Sequence, residues 1–395
     1  MKTDKEHAMD MPDKVKAVVM TAPGKVECRD LPYPDHLEEG AVVVKVEMSG
    51  ICGTDKHAFD GDVTLYGGTE SEQDMVFPAV HGHENAATVF EMNGDGREIE
   101  YSGKELRVGD RITHCPNVIC GTCWYCRRIH AFPFCVNHQG IGMTYRSDVF
   151  PYITGGWAEY LYLPPKAWVY KVPEELSMEE TALSEIFVVT SLLDRAKMYT
   201  QSDGRGGFSF GDTVVVQGLG AVGLMMVAKA RLLGAGKIIG LDTIESRLLL
   251  AREFGADMTI NVAGISDDHL VENIRGETEG RGADVVVEVV GRPEVLDVGL
   301  RMLRRGGTYC ETGNFVDTGT VSLNVHRHLA AKNVLFIGNT NHPHDMYYAH
   351  FDMMIRHKKI FPWHKLVNHR YRLDQCKEAL KKVYEEDALK VVFIP

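Results

Sequence analysis

The stretch Thr213-Val214-Val215-Val216-Gln217-Gly218-Leu219-Gly220-Ala221-Val222-Gly223 decides the fold class. Its first five residues form an apolar run typical of a buried strand, and the glycines that follow have Gly-x-Gly-x-x-Gly spacing at the start of a helix-forming run. In this pattern the first glycine permits a tight turn, the second lets the backbone approach a pyrophosphate, and the third allows helix and strand to pack closely. We therefore predict a nucleotide site at Gly218, Gly220, Ala221, Val222 and Gly223.

The sequence around this unit alternates between strand-like and helix-like runs. Further β-type runs lie at residues 237–241, 258–261, 283–290, 308–312 and 334–338. Strands that alternate with helices in this way form a parallel sheet with helices on both faces. We therefore predict a doubly wound α/β domain in the second half of the chain.

Two side chains after the second strand of this domain bear on the choice of nucleotide. Asp242 ends that strand 19 residues after Gly223, where a carboxylate would accept hydrogen bonds from the adenosine ribose and repel a 2′-phosphate. We expect NAD rather than NADP for this reason. Arg247 lies five residues further on and has two open interpretations, a solvated helix residue or a contact to a cofactor phosphate.

The first part of the chain, to about residue 175, is predicted to consist of short strands and loops. Its β-rich runs at 15–20, 41–48 and 86–91 are separated by Gly, Pro and Asp, and helical signals are scarce. Ser177 and Glu180 then form a capping-box pattern that predicts a long helix to about residue 197, followed by a polar loop at 201–210. The C-terminus is expected to add a helix at 374–384 and a strand at 389–394.

Composition restricts the partners and the location. A chain of 395 residues fits two domains, and a net charge of −12 disfavours binding to a phosphate backbone, so we expect no nucleic acid partner. No stretch of 18 apolar residues is present, and the charged segment 1–16 lacks the apolar centre of a signal peptide. We expect no membrane span and a cytoplasmic protein, in which clustered cysteines more often bind metal than form disulfides.

Four cysteines with short spacing predict a structural zinc site. Cys120, Cys123, Cys126 and Cys135 follow the pattern Cys-x2-Cys-x2-Cys-x8-Cys. Tetrahedral zinc takes four such thiolates at about 2.3 Å, and an all-cysteine site has no open position for catalysis. The alternatives are four unrelated buried thiols or a nucleic-acid-binding zinc ribbon, which the acidic chain disfavours.

Two further motifs predict a second, catalytic zinc. They are Cys52-Gly53-Thr54-Asp55-Lys56-His57 and Gly82-His83-Glu84. Catalytic zinc keeps an open position beside three protein ligands. Taken alone, Cys52 suits a buried thiol and His83 an ordinary histidine, so the prediction depends on their occurrence together with the cysteine loop and the nucleotide site.

These motifs resemble the zinc-containing medium-chain dehydrogenase/reductase family over nearly the whole chain, from about Lys14 to Pro395. The resemblance also includes Val108-Gly109-Asp110-Arg111-Ile112 and Gly155-Gly156-Trp157-Ala158-Glu159-Tyr160. It implies an α/β protein with a GroES-like β-rich catalytic domain and a Rossmann domain. We place the first part of the catalytic domain at 1–188, the Rossmann domain at 189–342, and the return to the catalytic domain at 343–395.

The resemblance also implies the ligands of the catalytic zinc. Cys52 and His83 match two of them, and Asp55 matches the carboxylate that orients the histidine, although Asp55 is equally suited to capping a helix. The third ligand is a cysteine in alcohol-type members and a glutamate in polyol-type members. Here Glu185 matches the polyol pattern, with Ile186 in place of the usual proline, and Glu84 is the alternating or outer ligand.

The implied reaction is hydride transfer between a secondary alcohol or polyol and NAD. Zinc lowers the pKa of bound water from about 15.7 to about 7, and a bound alcohol would become alkoxide-like in the same way. Thr54 and His57 match the relay that carries the proton to solvent, and an exposed loop histidine is the alternative for His57. The small-molecule substrate is an alcohol or ketone, and the loop at 60–75 is expected to line the mouth of the site.

Two alternative functions stay open at this stage. One is a zinc-independent reductase of the same superfamily, and the other is a non-catalytic protein that has kept the fold. The resemblance implies a homodimer or homotetramer. Four further cysteines are expected to be packing residues: Cys28, Cys115, Cys310 and Cys376.

Overall fold

The structure, a computed structural model, describes residues 11–129, 132–200 and 206–395. The predicted N-terminal segment 1–16 and the predicted loop 201–210 lie partly outside the described residues. The β-strands are β1 (Lys14–Ala22), β2 (Lys25–Pro32), β3 (Val42–Gly50), β4 (Thr64–Leu65), β5 (Gln73–Asp74), β6 (Ala79–Val80), β7 (Asn85–Met92), β8 (Arg111–His114), β9 (Asn117–Val118), β10 (Gln139–Gly140), β11 (Tyr160–Leu163), β12 (Val169–Lys171), β13 (Thr213–Gln217), β14 (Lys237–Asp242), β15 (Met258–Asn261), β16 (Ala283–Glu288), β17 (Leu303–Glu311), β18 (Leu335–Gly338), β19 (Val367–Tyr371) and β20 (Lys390–Phe393).

The helices are mostly short outside the second half of the chain. The α-helices are α1 (Gly53–Asp60), α2 (Gly96–Ile99), α3 (Trp124–Arg128), α4 (Met178–Ala182), α5 (Ser184–Val189), α6 (Ser191–Met198), α7 (Ala221–Leu232), α8 (Glu245–Glu253), α9 (Asp267–Gly276), α10 (Val295–Met302), α11 (Tyr347–His357) and α12 (Cys376–Lys382). Single 3₁₀ turns are Phe132–Phe134, His344–Met346, Trp363–Lys365 and Leu373–Gln375, and a π-helical turn is His326–Ala330.

The predicted doubly wound sheet is present. Its six strands are all parallel and lie in the order β15-β14-β13-β16-β17-β18. Strands β13 and β16 are buried along their whole length, as expected for central parallel strands covered by helices on both faces. This strand order turns back between β13 and β16, which opens a crevice at the carboxyl ends of the strands where nucleotides bind.

A second, mainly antiparallel sheet contains strands from both ends of the chain. Its order is β12-β8-β7-β3-β20-β19, and β11 also pairs with β3. The C-terminal strand β20 therefore lies beside β3, and helix α1 follows β3 in the chain. The domain boundaries after residues 188 and 342 stay predictions.

The sequence analysis was wrong about the helices near the site. The capping box of Ser177 and Glu180 is confirmed, but the run to residue 197 is three helices, α4, α5 and α6. The hydroxyl groups of Ser184 and Thr190 donate to carbonyls three residues earlier, at Thr181 and Phe187, which competes with regular helical bonding.

Helix α1 was not predicted from the sequence. It has too few apolar residues to show a helical period, and it is defined by its ends instead. The backbone N–H of Cys52 donates to Asp55 Oδ2 over 2.8 Å, and Gly61 ends the helix at φ 102°.

The segment at residues 61–75 crosses between the two sheets. It forms the hairpin β4–β5, and Leu65 makes a β-bridge with Val316 after strand β17. Leu65 and Tyr66 of this segment lie in the wall of the crevice. Among the described residues, none of the helices combines the length and the apolar composition that a membrane span requires.

Candidate active site

Three predicted metal ligands lie together at the junction of the two sheets. The ligand atoms of Cys52, His83 and Glu84 all lie within 4.8 Å of one another. Cys52 is the N-cap of α1, and His83 and Glu84 occupy the turn between β6 and β7. The sheet therefore brings two motifs 31 residues apart in sequence to one point.

Asp55 has both roles that the sequence left open. Its Oδ2 caps helix α1, and its Oδ1 accepts a hydrogen bond of 3.2 Å from Nδ1 of His81. The same Oδ1 lies 4.0 Å from Nδ1 of His83, a buried nitrogen that has no hydrogen bond. Asp55 is fully buried, and its hydrogen bond with His81 and the nearby charge of His83 hold the pKa of its carboxyl below the usual range despite burial. The Nε2 edge of His83 is thus left for Cys52 and a metal.

Each candidate third ligand has a buried basic partner. Both oxygens of Glu84 lie 2.7 Å from Nζ of Lys390 on strand β20. Oε1 of Glu185 on helix α5 accepts a hydrogen bond of 3.0 Å from Nε2 of His342. Burial raises the pKa of Glu84. The pKa of Glu185 is lowered despite burial, because the hydrogen bond and charge of His342 act together with the charges of His83 and Lys390. Glu84 thus belongs to the group of three ligands, and Glu185 lies beside it.

The electrostatic environment fits a divalent cation. Burial alone would lower the pKa of His83, but the surrounding Cys52, Asp55 and Glu185 raise it to about 10. Thiolate, imidazole and carboxylate are the donor set of catalytic zinc sites. The residues present fit the metal that the sequence predicts.

The four predicted structural ligands also converge. Their sulfur atoms lie within 4.8 Å of one another, and Sγ of Cys120 and Cys135 are 3.6 Å apart. A Zn–S distance of about 2.3 Å separates the sulfurs of a tetrahedral site by about 3.8 Å. Backbone N–H groups of Thr122 and Cys123 donate to Sγ of Cys120, and hydrogen bonding lowers the pKa of this thiol to about 5. The backbone thus favours a thiolate at Cys120, whereas burial raises the pKa values of Cys126 and Cys135. All nine cysteines are free of disulfides.

One cavity of about 520 Å³ joins the metal group to the glycine turn. Cys52, His83 and Glu185 line it at one end, and Gly220 to Gly223 line it at the other. Thr54 and His57 line the wall beside Cys52, with Oγ1 of Thr54 3.8 Å from Sγ of Cys52. His57 pairs with Asp62 over 3.2 Å and is partly exposed, so it reaches both cavity and solvent.

The glycine turn has the geometry that a pyrophosphate requires. A Cβ on Gly223 would lie 2.0 Å from the carbonyl oxygen of Gly218, so only glycine allows this contact of helix and strand. A Cβ on Gly220 would meet no atom within 4 Å and would stand in the cavity instead. The N-terminus of α7 therefore opens onto free space where an anion fits.

The two side chains predicted to contact the nucleotide differ in placement. The carboxylate of Asp242 accepts backbone hydrogen bonds from Leu219, Thr243 and Ile244, at 2.7–2.9 Å. Arg247 lines the cavity, and its Nη2 donates to the carbonyl of Ala388 over 3.0 Å. Asp242 thus fixes the turn after β13, and the ribose contact stays a prediction.

A pair of carboxyl groups supports the opposite wall of the cavity. Oε1 of Glu288, at the end of β16, accepts hydrogen bonds from the backbone N–H groups of Val290 and Gly291, which line the cavity. Burial, followed by a hydrogen bond with Glu311, raises the pKa of Glu288 to about 8. Burial and the neighbouring Glu311 therefore favour a protonated Glu288 beneath the cofactor end.

Several residues of the site were missed from the sequence. His81 precedes the Gly-His-Glu motif by one residue, and Lys390 interrupts the apolar terminal strand. A charged residue in a buried strand was a usable signal for Lys390, because such residues need a partner. His342 lies in a polar loop and showed no pattern that would connect it with Glu185.

Comparisons with known proteins identify the family of the chain. The family model of the alcohol dehydrogenase GroES-like domain matches residues 38–174, and that of zinc-binding dehydrogenases matches residues 221–355. Sorbitol dehydrogenase of Bacillus subtilis is 30% identical over 387 residues, which cover 98% of each chain. The chain belongs to the zinc-containing medium-chain dehydrogenase family. The predicted GroES-like and Rossmann-type architecture is thereby confirmed.

Other members of the zinc-containing medium-chain dehydrogenase family are similar over most of their length. Erythritol/L-threitol dehydrogenase of Mycolicibacterium smegmatis is 30% identical over 319 residues, 80% of each chain. The crystal structure of an alcohol dehydrogenase from Thermotoga maritima has a TM-score of 0.85 and 30% identity, and the match covers 97% of this chain and 99% of that one. This dehydrogenase is therefore an oxidoreductase of the zinc-dependent alcohol and polyol type.

Proposed function

We propose that this dehydrogenase transfers hydride between a secondary alcohol or polyol and NAD at a catalytic zinc, and holds a second, structural zinc in the four-cysteine loop. The observation that carries the proposal is the single cavity shared by Cys52, His83, Thr54, His57 and the turn at 220–223. A metal held by Cys52 and His83 and a nucleotide held at this turn would both lie within reach of one substrate. The wild-type protein should form NADH from a polyol or secondary alcohol, and absence of any alcohol-dependent NADH or NADPH formation would contradict the proposal.

Different residues of the chain have different roles in the proposed reaction. A zinc ion, when bound, supplies Lewis acidity that makes an alcohol hydroxyl acidic near neutral pH. Thr54 then accepts the hydroxyl proton at Oγ1 and passes its own proton on. His57 receives a proton at the partly exposed edge of the site, where Oδ2 of Asp62 lies 3.2 Å from its Nδ1. The glycine turn at 220–223 would hold NAD, which would supply the hydride acceptor.

We propose Glu185 as the third ligand of the catalytic zinc and Glu84 as an alternating ligand. The polyol-type motif supports Glu185, whereas the distances to Cys52 and His83 support Glu84. Replacing Glu185 by Ala should abolish turnover and remove one zinc per chain while the cysteine loop keeps its own. Unchanged turnover of Glu185→Ala, with loss of zinc in Glu84→Gln, would reverse the assignment.

We propose NAD as the cofactor because the negative charge of Asp242 would repel the 2′-phosphate of NADP. A Sinorhizobium meliloti protein described as a zinc-binding dehydrogenase was solved with NADP, at 26% identity and a TM-score of 0.78, over 97% of this chain and 100% of that one. A relative of this chain therefore binds NADP. The wild type should have a higher kcat/KM with NAD than with NADP, and Asp242→Asn should lower the ratio of these two values. A wild-type preference for NADP would contradict the assignment.

We also propose a homodimer or homotetramer in the cytoplasm. Light scattering coupled to gel filtration measures the mass directly, and a species of about 44 kDa, the mass of one chain, would contradict the oligomer.

A further inference from the structure

A row of three polar side chains crosses the wall of the cavity near the metal group. Nδ2 of Asn341 donates to the hydroxyl of Tyr66, and Nδ2 of Asn117 lies 3.5 Å from Oδ1 of Asn341. All three residues line the cavity. We call Tyr66, Asn117 and Asn341 the amide–tyrosine row. The motifs that identify the family include none of its members.

Apolar side chains line the cavity together with the row. Leu65, Pro116, Met143 and Ile186 are among the lining residues. Polar groups placed among apolar side chains fix the orientation of a ligand. The row can therefore recognise an oxygen atom of a bound ligand.

The backbone holds the row in an unusual conformation. Tyr66 and Asn341 have φ angles of 56° and 61°, in the left-handed region that non-glycine residues rarely adopt. The carbonyl of Asn341 accepts a bond of 2.8 Å from Asn339, and the ring of Tyr66 packs edge-on against His138, with centroids 4.5 Å apart. Strain of this kind persists where the surroundings fix it, and it concentrates at binding sites.

The row keeps hydrogen-bonding capacity for a ligand. Because the hydroxyl oxygen of Tyr66 accepts from Asn341, its own O–H is left to donate. Burial raises the pKa of Tyr66 to about 12, so this O–H keeps its proton. Each amide also has a second N–H that the row does not use. A hydroxyl group, which both donates and accepts, matches these atoms.

The row adjoins the metal group through the next residue in the chain. His342 follows Asn341 directly and donates to Glu185, which lines the cavity beside His83. We propose that the amide–tyrosine row binds a second hydroxyl of the substrate, on a carbon next to the one that is oxidised. This inference rests on the proposed function and narrows its substrate class to vicinal diols and longer polyols.

Two four-carbon alcohols test the inference. Butane-2,3-diol and butan-2-ol share a skeleton and a secondary carbinol and differ in the adjacent hydroxyl. A site built to bond a hydroxyl discriminates strongly against an analogue that lacks it. The zinc-loaded wild type should show a kcat/KM at least about tenfold higher for its preferred diol stereoisomer.

Two variants remove the row with little effect on the backbone. Asn341→Gly deletes the amide at a positive φ that glycine adopts freely, and Tyr66→Phe deletes one hydroxyl. Each lost bond lowers kcat/KM by about fivefold, so the loss for the diol should exceed that for butan-2-ol by at least this factor. Asn333→Gly and Tyr152→Phe are matched controls. Asn333 and Tyr152 also have positive φ angles, 53° and 67°, but they do not line the cavity. Both controls should leave the two rates unchanged.

Equal losses for the diol and butan-2-ol, or a wild type that prefers butan-2-ol, would overturn the inference and leave the proposed function standing. A wild type that turns over no alcohol would instead overturn the proposed function, and the subsite with it.

Discussion

Replacing Glu311 by Gln should stabilise the protein at alkaline pH. Burial and the bond to Glu311 raise the pKa of Glu288 from 4.5 to about 8. Between these two values the folded protein holds a proton that the unfolded chain has released, so stability falls as pH rises through this window. A glutamine at 311 can donate to an ionised Glu288 and still accept from the backbone N–H of Asn314, which now donates to Oε1 of Glu311 over 3.0 Å.

The size of the effect follows from the pKa. Each unit of pKa difference is worth about 1.4 kcal/mol, so this group costs the wild type about 4 kcal/mol at pH 8, where Glu288 is half ionised, and about 2 kcal/mol at pH 6. Burial of Glu288 remains in Glu311→Gln, so the variant removes only the part of this difference of about 2 kcal/mol that comes from Glu311. At about 2–4 °C per kcal/mol, its Tm should gain up to about 8 °C on the wild type between pH 6 and pH 8.

Differential scanning fluorimetry of both proteins from pH 5.5 to pH 9 measures this gain. The exposed Glu386→Gln removes the same charge far from any partner, so its curve should run parallel to that of the wild type. Parallel curves for Glu311→Gln and the wild type, or a variant that is less stable at pH 8, would refute the effect of Glu311 on the pKa of Glu288.

Two further predictions concern the cavity walls. Lys390→Met leaves the carboxylate of Glu84 buried without its partner, so the free energy of unfolding measured by urea titration should fall by about 3–5 kcal/mol. The double variant Lys390→Met/Glu84→Gln should recover more than half of this loss. A loss under about 1 kcal/mol in Lys390→Met would show that the pair does not stabilise the fold. Gly223→Ala should lower Tm because its Cβ meets the carbonyl of Gly218, whereas Gly220→Ala should keep Tm and weaken NADH binding measured by fluorescence. Equal effects of the two alanines on Tm would contradict the geometry of the turn.

The elements that sequence could predict are those with a strong local pattern. Strand β13 and the glycines at its end have an apolar run and fixed spacing, so fold class and nucleotide turn followed directly. The metal site in the four-cysteine loop was equally easy to predict, because its ligands lie within 16 residues. Both features depend on neighbours in sequence.

The rest of the site depends on contacts between distant residues. Lys390 meets Glu84 across 306 positions, and His342 meets Glu185 across 157. Helix α1 was not predicted, because it is defined by its capping carboxylate and has no apolar face that the sequence would reveal. The split of the 177–197 run depends on hydroxyl-to-carbonyl bonds at Ser184 and Thr190, which single-residue propensities do not reveal.

The number of zinc ions per chain tests the central claim most directly. Elemental analysis of the purified wild type should give about two zinc ions per chain, and Cys52→Ser should give about one, since the cysteine loop at 120–135 is untouched. One zinc per chain in both proteins would contradict a metal site at Cys52 and His83, and with it the proposed mechanism.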